Sequence, residues 1–471
     1  MGISLSPATL LNGQGIDVSS LVSQILSQSS GQLTEWQGEQ TTLQSQASDL
    51  TTINGDLTNL ATAVTALADP LGALTAQSAT SSDTSVLTAT ADTTAVSGTH
   101  TIAVTNLATS GAVYTNDFAG GANATILPSG ATSGEIDLQI GGSTGTRTAI
   151  TITPGSNDTL TTLASYINSQ NLGVNASVVT DANGSRLALV SQSTGSAGAL
   201  AITANNTSLS FNTATGGANA QLTIDGIPYA SASNTITGAI PGVTLNLANA
   251  SSGNPVQLTV GPDAAQATTA INNFVSAYNQ VISDINQEVT YNTATNSQGP
   301  LGSDSAVAQL QSSLLNDAAF SVSGNDGYVN LAALGINTNN DGTLTVDSSQ
   351  LSSALASEPS AVQNFFQNSA STGFANNFNT DLTNLTDPTQ GVLNVDLAQN
   401  TAEQADLTNS INNFQTQLTA QQTALTSEYD AVNASLQAYP LLLQEVTATL
   451  GTMGSGGTTT TSSTPTLTSG L

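Results

Sequence analysis

The sequence predicts an α+β protein of several domains. Long helices from the two chain ends form a coiled-coil or bundle leg, and a β-rich head of one or two domains is inserted between them. Three observations carry this reading: apolar residues recur every seven positions near both ends, alternating Thr, Val and Ile segments fill the middle, and amphipathic helical periods return before the second heptad region. A chain of 471 residues has room for several such domains and for a sizeable core in each.

Residues 1–32 read as an N-terminal segment that stays flexible until assembled. Within it Ile16, Val18, Leu21, Val22, Ile25 and Leu26 make one apolar face, and Asp17, Ser19 or Ser20 is placed to cap the helix. Two uses are open for this face: packing on the chain's own leg, or insertion as a partner helix among other subunits.

The leg is expected from 33–75 together with 263–450. Trp36, Leu43, Leu50, Leu57 and Val64 fall seven apart, Ile53, Leu60 and Leu67 supply the alternate seam position, and Asp69-Pro70 ends the run. Near the other end Ile411, Leu418, Leu425, Val432 and Tyr439 repeat the spacing. Leu407 and Phe414 add the alternate position before Gln421 and Glu428 weaken it. The seam suits a coiled coil or an ordinary bundle core, and in both cases the two ends lie side by side. Leu397 to Gln437 reads as a second long helix, ending ahead of Pro440.

From Ala76 to about Val260 the segments HTIAVTNLA, GEIDLQIGG, TAITITP, VNASVV, RLALVS, QLTIDGI and VTLNLA read as short strands between Gly, Asn and Asp turns. The head divides into 76–111 with 217–262 and an inserted 112–216. One helix, NDTLTTLASYINSQ, interrupts the strands with Asn157 or Asp158 as its cap. After Asp263, AAQATTAINNFVSAYNQVISDINQEV, SAVAQLQSSLLNDA and DSSQLSSALASEPSAVQNFF read as further helices, and residues 451–471 as a disordered Thr, Ser and Gly tail.

Only Arg147 and Arg186 are basic against 31 Asp plus Glu, a formal charge of -29. Nucleic acid is excluded as a partner, because Lys and Arg supply the affinity for phosphate. Attraction to an anionic membrane is excluded on the same ground. Yet charged residues make up only 7% of the chain, so the surface is polar without being strongly ionic. A fold with so few ion pairs has little pairing to lose in acid, which fits an acidic external medium. No Cys is present, which removes disulfides and thiolate chemistry. No basic and apolar leader of the secretory type opens the chain, so export without a cleaved signal peptide is one route and an intracellular life the other.

No catalytic, cofactor-binding or metal-binding residue stands out. His100 in SGTHTIAV lacks a second His, and no G-x-S-x-G surrounds a Ser. Asn337, Asn339, Asp341 and Gly342 match the opening of a calcium loop, but its twelfth position is Ser348, and a turn explains Asn-Asp-Gly more simply.

In this architecture several stretches resemble one family, the bacterial flagellar filament cap proteins, also called flagellar hook-associated protein 2. The opening GIDVSSLVSQIL with LADP, and AVSGTHTIAVTNLATS, resemble its N-terminal region. GEIDLQIGG through NASVVTDANGSRLALVS resembles the flagellin hook IN motif, placed at 134–203. LTIDGIPYASASNTITGAIPGVTLNLA, AINNFVSAYNQVISDIN, GPLGSDSAVAQLQSSL, LAALGINTNNDGTLTVDSSQLSSAL and AVQNFF resemble its C-terminal region in content and order. The resemblance implies a structural cap without enzymatic activity at the distal tip of the filament, a ring-shaped homo-oligomer, usually a pentamer. It implies flagellin, hook-filament junction proteins, an export chaperone and the type III export apparatus as partners. A flagellin or junction protein, and an adhesin using the β-rich head, are the alternatives.

Overall fold

The computed structural model describes residues 17–454, apart from 252, 292, 294–296, 326 and 369–371. Ile16 and most of the expected tail, 455–471, lie outside the described residues. The helices in chain order are α1 (Val18–Ala68), α2 (Leu160–Ser169), α3 (Ala264–Val289), α4 (Ser305–Ala318), α5 (Ser348–Ser357), α6 (Pro359–Phe366), α7 (Phe374–Leu385) and α8 (Val392–Gly454). The chain divides into two units, one drawn from 17–58, 280–314 and 382–454, the other from 59–279 and 315–381.

The first unit is helical. Helix α1 starts at Val18, well before the heptad run, because Asp17 caps it: its Oδ1 accepts the Ser20 backbone N–H at 3.1 Å and the Ser19 hydroxyl at 2.9 Å. The Ser20 and Ser19 bonds hold the Asp17 carboxyl below its ordinary value. Trp36 meets Phe414 edge to face, Gln40 Nε2 donates to Thr408 Oγ1, Gln404 Nε2 to the Leu43 carbonyl, and Asn54 Nδ2 to Asn394 Oδ1. Partner numbers on α8 fall as those on α1 rise, so the two helices run antiparallel. Where many coiled coils flank the seam with ion pairs, amides and hydroxyls bridge it here, as a chain without lysine requires.

The seam is not uniformly closed. Leu50, Ile53 and Leu57 are fully buried, since α3 also packs on this stretch, whereas Trp36, Leu43, Leu407, Phe414, Leu418 and Leu425 are half-buried and Ile411 is buried. Val432, 44% exposed, is among the most open of the expected seam residues. Helix α8 also runs through Pro440 to Gly454 instead of stopping at the proline. Pro440 removes one N–H from the ladder, and one missing bond does not end a helix of 63 residues.

The second unit holds the β-rich head and a helical part. A five-stranded antiparallel sheet has the order Gln77–Ser81, Val256–Pro262, Gly98–Asn106, Ala220–Ile224, Ile227–Ser231, and a three-stranded sheet the order Thr235–Ile240, Val243–Leu247, Leu87–Ala91. Their inner faces share one core, with Leu87, Ile102, Leu222, Leu245 and Leu258 at its centre. A second core lies between residues 113 and 209. Here a four-stranded sheet (Phe211–Thr215, Ser110–Thr115, Gly184–Thr194, Val174–Asp181) and a three-stranded one (Thr146–Ile152, Gly134–Ile140, Leu200–Asn205) enclose Leu160, Leu163 and Ile167 of α2. The chain enters and leaves this second core at one place, where Thr109 bridges Ala218 and the Thr109 hydroxyl donates to the Gly216 carbonyl at 2.7 Å.

Two local expectations need correction. The cap of α2 is Thr159, whose hydroxyl accepts from the Thr162 N–H in a capping box, while Asn157 instead braces the preceding turn through Thr153 and Thr151. The stretch read as DSSQLSSALASEPSAVQNFF is two helices, because Pro359 has no N–H to continue α5 and sits at the start of α6.

In the helical part of this unit Leu60, Val64 and Leu67 of α1 are fully buried. Phe274 and Tyr278 of α3 meet Phe374 and Phe378 of α7, and Phe365 and Phe366 of α6 close the cluster. Gln367 Nε2 donates to the carbonyls of Leu67 and Asp69, so a side chain satisfies backbone acceptors that the end of α1 leaves open.

Candidate assembly surfaces

The apolar face expected at residues 16–26 is largely used within the chain. Val18 and Val22 are buried, and Leu21, Ile25 and Leu26 are half-buried. Packing on the chain's own helices is thus one of the two uses open for this face, at Val18 and Val22 above all. The physical cause is the early start of α1, which gives these residues a helical period continuous with the leg.

Most of the exposed large apolar residues of the first unit lie towards the opposite chain end, with Tyr291 and Val395 apart from them. Tyr439, Leu442, Leu443, Val446 and Leu450 on α8 are each about half exposed or more, and their spacing places them on one helix face. Val432 continues that stripe one heptad upstream. Val432, Tyr439 and Val446 keep the interval of seven across Pro440, so the stripe has a signal in the sequence.

The other singled-out residues serve local structure. His100 Nδ1 lies 2.8 Å from Asp225 Oδ2, and Asp225 Oδ1 accepts the Thr101 N–H at 2.8 Å. Asp225 sits at a φ of 51° and Gly226 at 80°, the left-handed pair that a tight hairpin turn requires. The His100 bond, then the Thr101 N–H, hold the Asp225 carboxyl below its ordinary value. In the calcium-like loop the Asp341 carboxylate accepts the Thr343 hydroxyl at 2.6 Å and its N–H at 3.0 Å, while Asp347 caps α5. These are turn bonds. Among the described residues no group of three or more His, Cys, Asp or Glu is gathered to hold a metal ion. Arg186 is engaged by Asp117 and Asp181 on the surface over the second β core. Among the described residues no helix is long and apolar enough to cross a membrane.

Paired terminal helices, two inserted β cores and an exposed apolar stripe on the longest helix define a protein of the assembly-forming kind, built to present surfaces. The family models for the flagellar hook-associated protein 2 N-terminus and C-terminus match residues 14–111 and 217–439, and the flagellin hook IN motif matches 136–193, in the interval between them. The B-type flagellar hook-associated protein 2 of Pseudomonas aeruginosa is 31% identical over 391 residues, covering 75% of this chain and 80% of that protein. The flagellar hook-associated protein 2 of Escherichia coli K12 is 28% identical over 374 residues, covering 74% of this chain and 78% of that one. The crystal structure of the flagellar cap protein FliD D1-D2-D3 domains from Escherichia coli is similar in fold, with a TM-score of 0.57 and 29% identity over 75% of this chain and 99% of that one. The chain belongs to the flagellar hook-associated protein 2 family.

Proposed function

We propose that this chain is the structural cap at the distal end of a bacterial flagellar filament, retaining exported flagellin and promoting its folding and polymerisation there. One observation carries the reading: the likeness to the Escherichia coli cap protein takes in nearly all of that solved chain and three quarters of this one. The function so proposed requires no covalent chemistry, only surfaces that hold a folding subunit. Subunits assemble as a ring, for which a pentamer is the expected number. The leg meets filament or junction subunits, and the exposed face of α8 is the strongest candidate for that contact. The chain leaves the cell through the flagellar type III apparatus, to which a sequence free of Cys is suited, since no disulfide resists unfolding.

Deleting the gene tests the reading. Mutant cells are expected to shed unpolymerised flagellin from normal hooks, and full-length filaments on such cells would overturn it. Electron microscopy of the purified protein, counting subunits per ring, tests the stoichiometry.

A further inference from the structure

The helices carry carboxylates but no Lys, Arg or His at all: Arg147, Arg186 and His100 all lie in strands of the head. A carboxylate buried among the helices therefore has no cation to pair with, and a proton is the remaining means of neutralising it. Two sites at the ends of α4 meet this condition. Asp317 Oδ2, in its last turn, and Asp396 Oδ2, on α8 beside the start of α4, are shut off from solvent and receive no hydrogen bond from an N–H or hydroxyl donor.

The neighbour that each does have is a second carboxyl. Asp317 meets Asp381 of α7, with Tyr278 of α3 as the other titratable group facing it. Asp396 meets Asp304, with Glu403 further along α8. Asp304 is already committed as the cap of α4, where its Oδ1 accepts the Ala306 and Val307 N–H groups at 2.7 and 3.3 Å. Each pair is internal to one unit, Asp304 with Asp396 in the first and Asp317 with Asp381 in the second.

We propose that these are shared-proton carboxyl pairs which make the helical regions of this chain acid-locked, secure while each pair keeps one proton and loosened when both of its carboxyls ionise. With a proton, one carboxyl donates to the other and both buried oxygens are satisfied; without it, two negative charges face each other out of water. Burial, then Asp381, pushes Asp317 up to about 8, and burial, then Asp304, pushes Asp396 up to about 6. Both values lie above the ordinary carboxyl value of 3.8, so the folded state holds more protons than the unfolded chain across this window. Stability is therefore complete near pH 4 and declines as pH rises through 6 and then 8. The stability effect is independent of the cap reading. Its use rests on that reading: a subunit that must pass unfolded through an export channel is looser in a neutral cell and tighter in an acidic exterior.

Urea unfolding of the full chain at pH 5 and pH 8 tests the proposal, with no filament in the assay. The wild type is expected to show a lower midpoint at pH 8. Asp317→Asn with Asp396→Asn, which keeps a donor in each pair at every pH, is expected to lose most of that difference and to gain stability at pH 8. Asp406→Asn with Glu428→Gln removes the same charge from exposed positions and is expected to keep the difference. Equal wild-type midpoints, or a full difference retained in the paired-site variant, would overturn the proposal. If that variant does not fold, infrared spectroscopy of the wild type at pH 7 decides: a protonated carboxyl band is expected, and its absence refutes the pairs. Normal filament growth with the pH difference abolished would count against the biological use alone.

Discussion

Trp36 and Phe414 stand with ring centroids 5.4 Å apart and planes at 74°, an edge-to-face pair joining residues from opposite ends of the chain. It fixes the antiparallel register of α1 on α8. Both residues are half-buried, so each change to Ala is expected to cost about 1–3 kcal/mol, less than a fully buried aromatic. A double-mutant cycle by urea denaturation should give a coupling of about 0.5–1.5 kcal/mol, and a coupling near zero would mean that the rings contribute area only.

The aromatic cluster of the second unit is a harsher test. Phe374 is fully buried and touches Phe274, Phe365, Phe366 and Phe378. Phe374→Ala should destabilise by about 3–5 kcal/mol, read as a lowered urea midpoint.

Two adjacent glycines at the crossing into the second β core separate steric need from flexibility. A Cβ on Gly217 would stand 2.4 Å from the Ala199 backbone nitrogen, whereas one on Gly216 meets nothing within 4 Å. Gly217→Ala is expected to cost about 1–3 kcal/mol through forced backbone movement. Gly216→Ala should be neutral or stabilise by up to about 1 kcal/mol, because it restricts the unfolded chain. Thermal melts of the two variants make the comparison.

The exposed stripe of α8 and the buried start of α1 predict opposite outcomes. Leu443→Ser with Val446→Ser should change folding stability by only about 0.5 kcal/mol per site while reducing attachment to filament tips and motility. Val22→Ser, inside the helix pair, should lower stability by about 1–2 kcal/mol. Normal motility in the first variant would remove the stripe from the contact.

Much of this fold is legible in the sequence, for reasons that differ by element. The heptads of Trp36 to Leu67 and the amphipathic run of α3 read directly, because burial on one face imposes period. Strands such as Leu87–Ala91 and Gln77–Ser81 escape, since LTATA and QSATS carry small and polar residues whose place in a sheet is decided by their neighbours. Helix α7 escapes because its apolar positions, Phe374, Phe378 and Leu382, lie among Asn and Thr that score as loop. At the start of α1 the apolar pattern near Val18 is legible, but not what covers it. That depends on where α8 lies, and a tertiary contact leaves no local trace.

The bridge between Thr109 and Ala218 has a further consequence. Because the chain departs and returns through one hydrogen-bonded gate, residues 112 to 216 join the rest of the head at one end, where the Ser196 N–H also donates to Asn219 and the Thr194 hydroxyl to the Ala232 carbonyl. The stretch is thereby an exchangeable cassette: it can be lengthened, shortened or replaced in a relative while the sheet that carries the gate keeps its register. In a family exposed at a cell's outermost point, such a gate lets the displayed face diversify without renegotiating the helices.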